Sequence, residues 1–301
     1  MKATIETLTQ AVAVEKSWVA VYSELFKARL TFLVLLTTLV GFYIGSPGQV
    51  DYLLMLHTIL GTALLASGAS ALNQLWEREY DAKMRRTQDR PLPSGRLQPH
   101  FVLALGCTSA LLGMLYLAFA VNVQTSLIGA CSLATYIFIY TPLKRVTWLN
   151  TVVGAVPGAL PPLIGWAAAR GQVSSEGLTL FGILALWQLP HFLAIAWIYR
   201  DEYARAGFKM LPVVDPIGRR TGRQAVLYTL GLVPVSMCPF FLKLAGPVYL
   251  FGAVLLGLAF FWCAIQFSRS LTISRARQLF YVSILYLPLL LSVMVLDKFK
   301  P

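Results

Sequence analysis

Charge is what this chain has least of. Only 13% of its 301 residues are Asp, Glu, Lys or Arg, where a soluble domain carries about 25%. With 57% hydrophobic residues and a mean hydropathy of +0.67, too little polar surface is left to coat a water-exposed globule. A soluble fold is thereby excluded. The ~10-residue alternating segments of an outer-membrane barrel are missing as well. Cysteine is sparse: Cys107, Cys131, Cys238 and Cys263 lie singly in apolar runs with no C-x-x-C pair, and they read as packed small hydrophobes. The first thirty residues mix acids with bases and lack a small-residue cleavage site before an apolar core. They read as a cytoplasmic arm (1–28) with an interfacial helix near 18–27, not as a signal or transit peptide.

What the chain does have is long apolar runs of roughly 17–25 residues, the length that lets a helix cross a ~30 Å hydrocarbon core. Nine are expected, at 30–46, 53–76, 101–121, 125–141, 148–169, 178–199, 225–242, 248–267 and 279–296. The fold class is therefore all-α: a polytopic membrane protein whose nine helices form one transmembrane domain over 29–301, embedded in the lipid bilayer. Alternating the loops between the two sides puts 21 of the 25 Lys and Arg residues on the side of the N-terminus. Positive residues stay cytoplasmic, so the N-terminus is expected inside and the C-terminus outside. The net charge of +12 is then topological, and nucleic acid is not an expected partner.

Two loops on the inner side are long and carry both signs of charge. The first continues the second span, where Asn73, Glu77 and Asp81 stand at i, i+4 and i+8. Each four-residue step turns ~400°, so the three oxygen-bearing side chains stay within ~80° of one face. Such a line suits a hard divalent cation, and Mg²⁺ takes one or two carboxylates plus water and phosphate oxygens. The bland reading is a solvated helix end with internal ion pairs. The second loop shifts the balance. REYDA at 78–82 and RDEYA at 200–204, PLP at 91–93 and MLP at 210–212, form a weak repeat. Asp201 and Glu202 are therefore expected to face the first acids across a cavity, as further Mg²⁺ ligands around one diphosphate. Arg85, Arg86, Arg90, Lys144, Arg145 and Arg200 supply cations for its oxygens, Arg by bidentate grip and Lys as a point charge.

Asn73-x3-Glu77-x3-Asp81, followed by Met84, Arg86, Thr87, Arg90, Pro91 and Leu92, resembles the first signature of the UbiA superfamily of intramembrane prenyltransferases. The segments YTPLKR (140–145), NTVVGAVPGALPP (150–162), WQLPH (187–191) and MLPV (210–213) extend the similarity over about 25–295. Within the superfamily they resemble the branch whose donor is farnesyl diphosphate and whose acceptor is protohaem IX (haem b). The resemblance implies an active site at the cytoplasmic face of a bacterial inner membrane, with Asn73, Glu77, Asp81 and Lys144 catalytic and Mg²⁺ as cofactor. It implies haem O as product, His191 as a haem contact, and a haem A synthase as a downstream partner. Two other readings stay open: a relative prenylating an aromatic quinone precursor, and an ion-coupled transporter, in which Pro/Gly breaks and intramembrane acids also occur. Against the transporter, the acids gather at one face and not at the midplane.

Overall fold

The computed structural model describes residues 16–299. Nine of its helices are long and apolar enough to span a membrane. A short helix α1 (Trp18–Leu25) precedes them. The spans are α2 (Ala28–Gly45), α3 (Tyr52–Asp81), α4 (Pro99–Ala120), α5 (Val123–Val146), α6 (Asn150–Arg170) and α7 (Ser175–Ile198). After two short helices, α8 (Arg200–Ala206) and α9 (Leu211–Val214), come α10 (Arg219–Phe241), α11 (Pro247–Ser270) and α12 (Ile273–Leu296). All nine expected spans are present, most starting or ending a few residues beyond the apolar run, where the helix continues into polar residues. The extension that matters for the site is at the end of α3, which runs on to Asp81. Thirty residues at 1.5 Å each make a rod of ~45 Å, so its last turns carry Asn73, Glu77 and Asp81 past a ~30 Å core.

α6 is the central element, with 72% of its apolar window buried against 22–44% for the other spans. It packs on α2, α5 and α7, while α7 in turn packs on α10 and α12. Small residues set these approaches. A Cβ on Gly165 of α6 would strike the Thr38 carbonyl of α2, and one on Gly68 of α3 would strike the backbone of α4 at Ala110. Without a hydrophobic driving force between helices in lipid, such close backbone contact supplies the packing attraction. α6 also contains Pro157, Pro161 and Pro162. Each removes a backbone donor, and the carbonyl of Pro157, four residues before Pro161, is taken by Ser132 Oγ of α5 at 3.2 Å. The neighbouring helix re-satisfies what proline frees, which is how proline is tolerated inside a bilayer.

Most of the expected arm, 1–15, lies outside the described residues. The part that is described is docked. Val21 and Leu25 of α1 pack against Ala71 of α3, Leu92 and Leu97 of the 82–98 loop and Val102 of α4, while Trp18 and Val19 remain exposed. Lys16 Nζ pairs with Asp89 at 2.6 Å and Glu24 at 2.7 Å; the two carboxylates hold its ammonium above the usual lysine range.

Candidate active site

The i, i+4, i+8 line points inward. Asn73, Glu77 and Asp81 are 1%, 5% and 1% exposed and line one cavity of about 90 Å³ at the end of α3. Each is already engaged by a cation. Lys27 Nζ donates to Asn73 Oδ1, Lys144 Nζ to Glu77 Oε1 and Arg90 Nη1 to Asp81 Oδ2, all at 2.7 Å.

Local structure explains how these cations arrive. Residues 82–90 fold as linked turns, with Met84 N donating to the Asp81 carbonyl, Thr87 N to Met84 and Arg90 N to Thr87. Thr87 Oγ1 also donates to the Asp81 carbonyl at 2.8 Å, so the chain doubles back and Arg90 overlies Asp81. Lys144 follows a π-helical stretch of α5, Thr135–Tyr140. There Thr141 N donates to the Tyr136 carbonyl, five residues back, and Thr141 Oγ1 donates to the same oxygen at 2.8 Å. Pro142 has no donor of its own to restore the ordinary pattern, and π-turns often mark functional sites. This one stacks Tyr136 on Tyr140, 5.7 Å apart at 18°, and sets Lys144 Nζ 4.6 Å from the centre of the Tyr140 ring. Asn73 Nδ2 donates to Thr141 Oγ1 at 3.0 Å, locking α3 to the π-turn.

The second loop brings neither of its acids into the lining of this cavity. Asp201 is turned out, its side chain 91% exposed beside Arg200. The reason is helical phase. α8 buries Ala206 and half-buries Tyr203, which pack with Met84, Ala196, Phe208 and Met210. At 100° per residue Asp201 lies ~200° from Tyr203, whereas Glu202 lies only ~40° from Ala206. Glu202 is accordingly half-buried, and its Oε2 is enclosed without a hydrogen-bond partner. What the second loop presents to the cavity is Tyr203, Phe208 and Met210, held there by Lys209 N on the Lys144 carbonyl at 2.7 Å and Asn150 Nδ2 on the Lys209 carbonyl at 3.0 Å.

Three of the expected diphosphate cations stand away from the cavity lining. Arg85 is exposed; Arg145 Nη1 donates to Tyr80 OH at 3.0 Å; Arg200 stacks 4.8 Å over Trp197. Arg86, by contrast, lies at the mouth, donating to Tyr203 OH at 2.6 Å and stacking over Tyr199 and Tyr203. Lys27 was missed by motif reading because it belongs to the arm and not to either acidic loop. Burial and the nearby Arg90 pull its ammonium down to about 7. Among the residues lining the cavity, four cations (Lys27, Arg86, Arg90, Lys144) face two carboxylates. The excess is positive and suits a polyanionic ligand.

A second cavity, of about 150 Å³, shares Arg86, Tyr140, Tyr203 and Met210 with the first and adds Thr151 of α6 and Phe192 and Ile195 of α7. It leads from the charged end toward the bundle interior. His191, beside Phe192, is bonded through Nδ1 to Ser283 Oγ at 2.7 Å and stacked between Trp187 and Phe280 at 5.1 and 5.0 Å. Trp187 Nε1 donates to the Ser283 carbonyl at 2.7 Å, so α12 fixes both rings.

The donor set fits Mg²⁺. Asn73, Glu77 and Asp81 offer oxygen ligands on one wall of the cavity, and each carboxylate keeps an oxygen free of its cation. Hard cations take such ligands together with phosphate oxygens. Among the described residues no three His, Cys, Asp or Glu side chains gather as a preformed metal cluster.

A protoheme IX farnesyltransferase from Solibacter usitatus is 50% identical over 286 residues, covering 92% of this chain and 98% of that relative. The fold is shared with a structure described under digeranylgeranylglyceryl phosphate synthase, with a TM-score of 0.79, 16% identity and coverage of 93% and 98%. It is also shared with a UbiA homologue from Archaeoglobus fulgidus bound to DMAPP and Mg²⁺, with a TM-score of 0.67, 15% identity and coverage of 91% and 99%. Residues 34–287 match the UbiA prenyltransferase family, and with the acid line on α3 at the head of an aromatic cavity, the chain belongs to that family.

Proposed function

We propose that the protein transfers the farnesyl group of farnesyl diphosphate to a vinyl group of protohaem IX, with addition of water, giving haem O and diphosphate. The observation that carries this reading is the joining of two environments. An oxygen-and-cation cage built on Asn73, Glu77, Asp81, Lys27, Arg90 and Lys144 opens past Tyr140 and Tyr203 into an aromatic and aliphatic cavity. A prenyl diphosphate has the same two halves. The name of the half-identical relative supplies the haem acceptor.

The diphosphate sits in the cage, with Glu202 as the acid contributed by the second loop, and the prenyl chain runs along α7. Asn73, Glu77 and Asp81 would hold Mg²⁺, which would supply Lewis-acid stabilisation of the leaving group. Lys144, Arg90 and Arg86 are aimed at the oxygens on which negative charge grows as the C1–O bond breaks, and such preorganised charge is the largest catalytic term in many enzymes. The electron pair leaves with diphosphate. The allylic cation left at C1 faces the rings of Tyr140 and Tyr203, which attract positive charge, and the apolar walls keep water from it. The vinyl terminus attacks C1. Water then adds at the ring-attached vinyl carbon and gives up a proton, leaving a hydroxyethylfarnesyl side chain. His191 contacts the haem: Ser283 holds Nδ1, which leaves Nε2 for iron. The cage lies at the cytoplasmic face, where the positive loops gather, and a haem A synthase takes up the product.

The test is a proteoliposome assay with haem b, farnesyl diphosphate and Mg²⁺, following haem mass, with Asp81→Asn as the site control. Farnesylated, hydrated haem from the parent and none from the variant is expected. Folded protein that leaves haem unchanged but prenylates an aromatic acid overturns the acceptor; coupled ion uptake with no prenyl transfer overturns the enzyme reading.

A further inference from the structure

Lys27 differs from the other cage cations. Arg90 and Lys144 are each paired with a carboxylate; among the described residues Lys27 Nζ reaches only neutral partners, Asn73 Oδ1 at 2.7 Å and Tyr136 OH at 3.3 Å. A sequestered ammonium without a counter-charge is costly, and in this cavity both carboxylates are already held by other cations.

The backbone is built to deliver this side chain. Lys27 has φ 47° and ψ 53°, a left-handed conformation that side chains other than Asn, Asp and Gly seldom adopt. Such strain persists only where surrounding structure imposes it. The imposing group is Gln74, fully buried on α3 next to Asn73. Its Nε2 donates to the carbonyls of Glu24 and Leu25, at 2.7 and 2.9 Å, joining Lys27 N, which donates to the same Glu24 carbonyl at 3.2 Å. Thr31 Oγ1 takes the next carbonyl, Phe26, at 2.8 Å. At its other end α1 is tied through Lys16 to Asp89, the residue before Arg90. The arm is thus clamped to the acid helix and to the arginine loop, and the turn between the clamps aims Lys27 into the cage.

We propose that Lys27 binds the diphosphate of the prenyl donor directly, and that Gln74 is the positioning residue that holds the left-handed turn presenting it. The inference rests on the diphosphate reading of the site and names the counter-charge that Lys27 lacks: a phosphate oxygen, reached by a short swing from Asn73. The N-terminal segment is then part of the donor site and not only a membrane anchor.

The experiment uses the full chain in nanodiscs with Mg²⁺, and the unreactive S-thiolodiphosphate analogue of farnesyl diphosphate as probe, measured by calorimetry. Lys27→Met, which keeps the stem and removes the charge, is expected to weaken analogue binding roughly tenfold or more, the worth of one charge-assisted hydrogen bond. In turnover it raises the KM for farnesyl diphosphate while the KM for haem stays put. Lys27→Arg restores most of the affinity. Gln74→Leu leaves Lys27 in the sequence but frees its turn, and weakens binding in the same direction. Farnesol, which has no phosphates, binds parent and variants alike and reports that they are folded. Lys27→Met binding the analogue as the parent does, while Asp81→Asn fails to bind it, overturns the inference and leaves the diphosphate site standing. A parent that does not bind the analogue overturns the underlying reading instead. Equal loss in Lys27→Met and Lys27→Arg with unchanged Gln74→Leu also overturns the proposal, because neither charge nor the pinned turn then matters.

Discussion

Replacing Lys144 by Met tests the electrostatic construction of the cage. Lys144 Nζ and Glu77 Oε1 are 2.7 Å apart, with side chains 16% and 7% exposed. The variant keeps the length of the stem but strands the Glu77 carboxylate beside the rings of Tyr140 and Phe208, which Lys144 now overlies. Breaking a buried pair from one side costs about 3–5 kcal/mol. The lower end applies here because Lys144 retains some contact with water. At roughly 2–4 °C per kcal/mol in a chain of this size, about 3 kcal/mol lowers the Tm by roughly 6–12 °C. The double variant Glu77→Gln/Lys144→Met removes both charges together, and buried pairs replaced as pairs are often close to neutral. Its Tm therefore returns to within a few degrees of the parent. Turnover does not return, since a cation aimed at the leaving group is worth about a hundredfold or more. Near-UV circular dichroism melts in detergent, with the haem-product assay in parallel, measure both quantities. A Lys144→Met protein melting within 2 °C of the parent, or a double variant as unstable as the single, would refute the reasoning.

Helical phase separates the two acids of α8: Asp201→Asn is expected to retain turnover within about twofold, as for an ordinary surface change, whereas Glu202→Gln lowers it, in the same steady-state assay. Pro142→Ala returns a donor to α5 and favours an ordinary α-turn over the π-turn. The melting temperature is then expected to hold or rise, while kcat/KM falls as Tyr140 leaves the cavity face. His191→Ala should raise the KM for haem and leave the KM for farnesyl diphosphate unchanged; the reverse split in initial-rate kinetics removes His191 from the acceptor site. Chelation by EDTA is expected to stop product formation and added Mg²⁺ to restore it, and activity persisting in chelator denies the cage its metal.

Local features of the sequence determined the membrane-spanning architecture and the acid line. A span is recognisable because hydrocarbon tolerates only a long apolar helix whose backbone bonds are satisfied internally, and that requirement is written in consecutive residues. Asn73, Glu77 and Asp81 share a face for an equally local reason, the 3.6-residue turn of one uninterrupted helix. Pairings across the fold were decided elsewhere. Lys27 is 46 residues from Asn73, Lys144 is 67 from Glu77, and Arg86 is 117 from Tyr203; no spacing rule connects such partners. The repeat of REYDA in RDEYA promised a second acidic wall. The tertiary structure instead turned Asp201 to solvent, because burying Ala206 and Tyr203 against Met84 and Phe208 fixed the rotation of α8. Tyr140 reached the cavity, stacked on Tyr136, through a π-turn whose extra residue depends on Thr141 and on the contact of Thr141 with α3. Composition and period act along the chain and were legible in it. The charge balance of the cage arises only where α3, α5, the arm and two loops meet, and packing sets that meeting.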